Sequence, residues 1–147
     1  MNLLTWKSLK MFIDDIIFKV ELSTYAEKHF CKSFLKKYKT KKWLETRRTI
    51  FITLERAFSF QNTTLLDNIK FAQENNAGIF KLDFRVAGTN SSPKKSGNRV
   101  VFFLCNNTGH IKILLVYGKD HCQKKSSETQ WILNQIKNNF PEYKTFC

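Results

Sequence analysis

Apolar and polar residues alternate most cleanly at Ile79-Phe-Lys-Leu-Asp-Phe-Arg-Val86. Phe80, Leu82, Phe84 and Val86 fall on one face, and Lys81, Asp83 and Arg85 on the other. A period of two over this length predicts a strand with one face in a core. Two further strands, rich in β-branched and aromatic residues, are predicted at 99–105 and 111–117, joined by the turn Asn106-Asn-Thr-Gly109. Another is predicted at 16–22. The period then lengthens: Ala26, Phe30, Phe34 and Tyr38 recur every four residues behind the helix-start signal Ser23-Thr-Tyr-Ala-Glu27. Trp43, Ile50, Leu54 and Ala57 continue the helical period, with Phe51 and Phe58 widening the face. The linker at 39–42 is short enough to fold the two helices into a hairpin. Residues 59–78 are polar and weakly periodic, with Leu65, Leu66, Ile69 and Phe71 suggesting a short helix. A last helix starts at Ser126-Ser-Glu-Thr, carries Trp131, Ile132, Ile136 and Phe140, and stops at Pro141.

This order predicts an α+β fold: a small antiparallel sheet, an N-terminal helical hairpin packed on one face, and a C-terminal helix. The 147 residues suit one domain, taken as 13–147 behind an extension at 1–12. Such a chain buries roughly 70% of its unfolded surface and needs no metal or disulfide to hold it.

Charge narrows the range of partners. Twenty-five Lys and Arg stand against twelve Asp and Glu, a net +13. An excess of that size draws polyanions: nucleic acid, an anionic membrane surface or an acidic protein. Nine of the cations lie between residues 32 and 56, so the hairpin is strongly basic. The first twenty residues are interrupted by Lys7, Lys10, Asp14 and Asp15, unlike a secretory leader, and no apolar run is long enough to span a membrane. Cys31, Cys105, Cys122 and Cys147 show no C-x2-C spacing and no His pair that would complete a zinc pattern. They read as free thiols, which points to a cytoplasmic protein.

Several chemistries drop out. The loop Gly88-Thr-Asn-Ser-Ser-Pro-Lys-Lys-Ser-Gly97 has Pro93 where a phosphate-binding P-loop needs Gly, and it leads into a strand, not a helix. Only Asp83 is acidic between Ile79 and Lys119, so the ligands for metal-dependent hydrolysis are missing there and no cofactor is expected. Cations remain. Lys81 and Arg85 share a strand face; Lys94, Lys95 and Arg99 bracket the next strand; Tyr117, Lys119 and His121 close the third. Sequential antiparallel strands would set these groups side by side, where Arg and Lys can hold a phosphodiester backbone. An ordinary solvated sheet face would carry the same residue types.

The run Phe80-Lys-Leu-Asp-Phe-Arg85, then Lys95-Ser-Gly-Asn-Arg99-Val-Val-Phe-Phe103, then Leu114-Leu-Val-Tyr-Gly-Lys119 resembles the three-strand core of RelE/HigB toxins in the RelE/ParE superfamily. The resemblance implies a β-α-α-β-β-β domain and the toxin of a type II toxin–antitoxin system. It implies an mRNA interferase: a metal-independent endoribonuclease that cuts message, typically on the ribosome, through attack by the RNA's own 2′-hydroxyl, and so inhibits translation. The expected partners are an acidic antitoxin, mRNA and the ribosome, with no membrane. On this reading Arg99 stabilises the phosphorane oxygens, and Lys81 and Arg85 hold the scissile region. Lys94 and Lys95 bind flanking phosphates, Tyr117 stacks on a base, and Lys119 or His121 moves the proton. Asp83 departs from the family pattern, where several relatives carry a second Lys, and the loop at 87–96 is longer than in compact members. Two alternatives stay open: a ParE-like poison of DNA gyrase, and a nucleic-acid-binding module without catalysis.

Overall fold

A computed structural model of the protein describes residues 17–57, 66–118, 121–122 and 127–146. Its centre is a five-stranded sheet built from β1 (Lys19–Leu22), β2 (Asp67–Ala72), β3 (Ala77–Phe84), β4 (Asn98–Cys105) and β5 (His110–Tyr117). The order across the sheet is β1-β5-β4-β3-β2. The class is α+β, as the pattern of elements predicts. The sheet is mixed, however, and not antiparallel throughout, because β1 lies parallel to β5 with Lys19 opposite His110 and Leu22 opposite Ile113. A chain that leaves β1 through two helices and three strands re-enters beside it in the same direction, a pairing that local pattern does not encode.

The expected helix near residues 65–71 is instead the edge strand β2, which pairs antiparallel with β3 from Asp67–Lys81 to Ala72–Ala77. Its backbone is held by the neighbouring ladder, with a register shift between Asn68 and Lys70. Short runs of this kind carry too little periodicity to separate helix from strand.

The hairpin follows the four-residue stripe. Ser23 caps α1 (Thr24–Ala26) by accepting the Ala26 N–H at 3.1 Å. A π-helical turn, Glu27–Cys31, leads into α2 (Lys32–Tyr38). Residues four apart drift about 40° per step around an α-helix, and the wider turn offsets that drift. Ala26, Phe30 and Phe34 are accordingly all buried, while Leu35 is exposed. The linker between the helices is shorter than expected: Lys39 alone, at φ 67°, reverses the chain into α3 (Thr40–Glu55). Trp43, Thr46, Ile50 and Leu54 form the buried stripe of α3, and Ala57 is buried just beyond it. Phe58 and the N-terminal extension lie outside the described residues.

Phe34 and Trp43 pack on Phe84, so the hairpin covers the sheet face that Phe80, Leu82 and Phe84 share. The opposite face is covered too. The C-terminal helix α5 (Glu128–Asn139) sets Trp131 against Tyr117, and the following 3-10 segment (Pro141–Phe146) stacks Tyr143 on Phe103. The sheet is thus a middle layer between two helical layers, and the polar strand face is roofed where the sequence suggested an open one. The loop before β4 carries one short helix, α4 (Pro93–Ser96), capped by Ser92 and ended by Gly97 at φ 77°. That left-handed conformation is the reason for a glycine at this stop.

Candidate functional site: a carboxylate held by three strands

Successive strand residues point to opposite faces, so the register divides the predicted site residues between two layers. Asp83 pairs with Arg99 and Arg99 with Tyr117, which sets these three side by side on the α5 face, with Lys81 two residues along β3. Lys81, Arg99 and Tyr117 converge on one atom, Oε1 of Glu128 in the first turn of α5. The Tyr117 hydroxyl donates to it at 2.6 Å, Lys81 Nζ lies at 3.4 Å and Arg99 Nε at 3.6 Å.

Arg99 is 9% exposed and fixed from several sides. Its two terminal nitrogens donate to the carbonyls of Asn98, Pro93 and Lys94 at 3.0, 3.4 and 3.1 Å. Its Nε lies 2.9 Å from Asp83 Oδ1. That approach is an ion pair set off the hydrogen-bond axis, so Oδ1 is buried without an aligned donor. Lys81 also reaches Asp67 Oδ2 at 3.7 Å. Two cations therefore face three carboxylates, and the cluster carries no surplus positive charge.

The local electrostatics follow. Burial drives the Tyr117 hydroxyl far above its ordinary pKa, and the hydrogen bond and charge of Glu128 push the same way, so it stays protonated. Burial raises Asp83 more than the charges of Arg99 and Lys81 lower it. Glu128 is the reverse case. Burial pulls its pKa up, but the Tyr117 hydroxyl, Lys81 and Arg99 outweigh it and leave it below the glutamate norm. Glu128 is a settled anion; Asp83 is a strained one.

The other predicted residues do not join this cluster. Arg85 is exposed and lines a cleft of about 420 Å³ against Thr46 and Thr49 of α3. His121 lies on the hairpin side, half-buried against Phe30 and Phe34. Its Nδ1 accepts the Gly118 N–H at 3.0 Å and its Nε2 stands 3.4 Å from Ser33 Oγ. It lines a second cleft, about 400 Å³, with Ser33, Lys37, Tyr38, Ser96 and Asn98. Lys94 and Lys95 are exposed on α4, beside that cleft in sequence. Lys119 falls outside the described residues. Tyr117, expected to stack on a base, is 1% exposed, packed on Trp131 and hydrogen-bonded to Glu128, which leaves its ring no open face for stacking.

Glu128 was not among the predicted site residues. Ser127-Glu128 was legible as a helix start, and Ser127 does cap α5, accepting the Gln130 N–H at 3.1 Å. That its carboxylate turns back onto three strands has no signal in the local sequence. Lys37, Tyr38 and Asn98 were missed as cleft residues for the same reason. Among the described residues no three His, Cys, Asp or Glu side chains gather as a metal site would require, and no helix is long and apolar enough to cross a membrane. Compared with known proteins, the chain matches no protein-family model, no curated protein and no solved structure.

Proposed function

We propose that the protein is an RNA-cleaving toxin of the RelE/HigB kind, with Lys81, Arg99 and Tyr117 as its reaction centre. One observation carries this reading: donors from three neighbouring strands meet at a single anionic oxygen, a place a phosphodiester oxygen could take. The 2′-hydroxyl of the RNA gives up its proton to water as its oxygen bonds to the adjacent phosphorus. The bond from phosphorus to the 5′-oxygen breaks, and the 5′-oxygen takes up a proton from water, leaving a 2′,3′-cyclic phosphate and a 5′-hydroxyl with no net change in protons. Arg99, locked by three carbonyls, needs no reorganisation to meet the charge that develops, and the protonated Tyr117 hydroxyl adds a second fixed donor. Lys81, paired with Asp67 as well as Glu128, is the second cation of the set. The basic hairpin and the lysines of α4 form the track that gathers the RNA, with acidic antitoxin as their competing partner. Arg85 and His121 belong to that track, because His121 packs on Phe30 and Phe34 of the hairpin and Arg85 lines the cleft against α3.

The test uses purified protein with translating ribosomes and a defined message. Codon-positioned RNA ends are expected, reduced about a hundredfold or more in Lys81→Ala. Intact message there, with DNA breaks accumulating when gyrase and DNA are supplied instead, would identify a gyrase poison. A second reading, nucleic-acid binding without cleavage, is favoured by the full engagement of Arg99 with protein groups. It predicts RNA binding with no new ends in the same assay.

A further inference from the structure

We propose that Lys81, Arg99 and Tyr117 form a phosphate site whose resident occupant is Glu128, so that an RNA phosphate binds by displacing the first turn of α5. The inference rests on the nuclease reading for the identity of the anion, and on geometry for the site itself. Glu128 Oε1 has a short contact from a neutral hydroxyl and two longer contacts from cations, the donor set a singly charged phosphodiester oxygen requires. Two of the donors have holds besides Glu128: carbonyls from the α4 segment and β4 fix Arg99, and Asp67 also pairs with Lys81, while Tyr117 packs on Trp131, three residues beyond Glu128 in α5.

The occupant is the less constrained party. Glu128 is the first residue of α5, its side chain is about two-fifths exposed, and the helix is anchored further along by Trp131, Ile132 and Ile136. A carboxylate tethered beside its partners competes at high effective concentration. RNA therefore binds with an affinity lowered by the fraction of time the site is open. The engaged cations are in this view held ready, not lost to structure.

The experiment compares wild type with Glu128→Gln for binding of inorganic phosphate and of a short RNA whose 2′-hydroxyls are methylated, so that it binds uncut. Glutamine keeps the size and removes the charge that competes. Affinity for both probes should rise about tenfold in E128Q. In the wild type, amide hydrogen exchange over residues 127–131 should speed up when either probe is added, while residues 132–139 stay protected. Equal affinities for the two proteins, or no change in exchange on saturation with RNA, overturns the proposal. Should E128Q not fold, the wild-type exchange result decides alone. The two proposals fail separately. A protein that cuts message but shows no gain in E128Q retains the nuclease and loses the displaced carboxylate. One that gains phosphate affinity but never cuts RNA retains the anion site and loses the nuclease.

Discussion

The sheet cluster and the helical hairpin both hold many cations, yet they use them in opposite ways. Around Glu128, two cations meet three carboxylates, with Arg99 almost wholly out of water. Between residues 32 and 56 the chain carries nine cations and two carboxylates, Glu45 and Glu55, and most of the nine stand on exposed helix surface. A buried pair is held by low dielectric and geometry, and removing one partner strands the other. An exposed cation loses little to solvent and remains available to a polyanion. Among the described residues the hairpin therefore presents its positive charge on the surface, while the cations around Glu128 are neutralised by neighbouring carboxylates.

Breaking the cluster should have the largest effect. Arg99→Ala leaves Asp83 without the guanidinium beside it, takes one of three partners from Glu128 and removes five contacts; a loss of about 3–5 kcal/mol in urea unfolding is expected. A loss below about 1 kcal/mol would mean that the buried guanidinium is not what holds the α4 loop and α5 to the sheet. Next comes the hairpin. Replacing Lys36, Lys37 and Lys41 by Glu should leave stability within about 0.5 kcal/mol per substitution. If wild type contacts about six phosphates, its log–log salt slope on single-stranded RNA is near −4, and the triple variant's should be near −2. An unchanged slope would place the RNA elsewhere.

Tyr117→Phe sharpens the comparison within the cluster. It removes only the 2.6 Å hydrogen bond to Glu128 and keeps the ring on Trp131. A hydrogen bond to a charged group is worth about 1.5–3 kcal/mol, and the partial exposure of Glu128 lowers that to about 1–2 kcal/mol by thermal unfolding.

The smallest effect is in the pH dependence. Glu128 has a folded-state pKa below its unfolded value, so its stabilisation is full above the usual glutamate range and disappears as pH falls through the lower folded value. Asp83 has the opposite sign. Its raised pKa means that the folded protein takes up that proton first, which favours folding as the solution is acidified. Unfolding measured between about pH 3 and pH 7 should therefore show a shallower acid limb for Glu128→Gln and a steeper one for Asp83→Asn. Parallel limbs in both variants would remove the electrostatic contrast between the two carboxylates.

The elements near the centre were legible because each carries its own local signal. The alternation at Phe80–Val86 and the turn at Gly109 located β3, β4 and β5 to within two residues, and the stripe through Ala26, Phe30 and Phe34 located the first helix. The reach of those signals is a few residues, the span over which backbone preference and amphipathic period act. The parallel seat of β1, the conversion of residues 67–72 to an edge strand and the second helical layer depend on partners distant in sequence. So does the site. From sequence alone, Lys81, Arg85, Arg99, Tyr117 and His121 are one set of polar residues on consecutive strands. Only the packed molecule sends His121 to the hairpin side and Arg85 to face α3, and brings Glu128 across from α5 to the other three. Charge and period are written residue by residue, but which charges neutralise each other is settled by distances that exist only once the layers close.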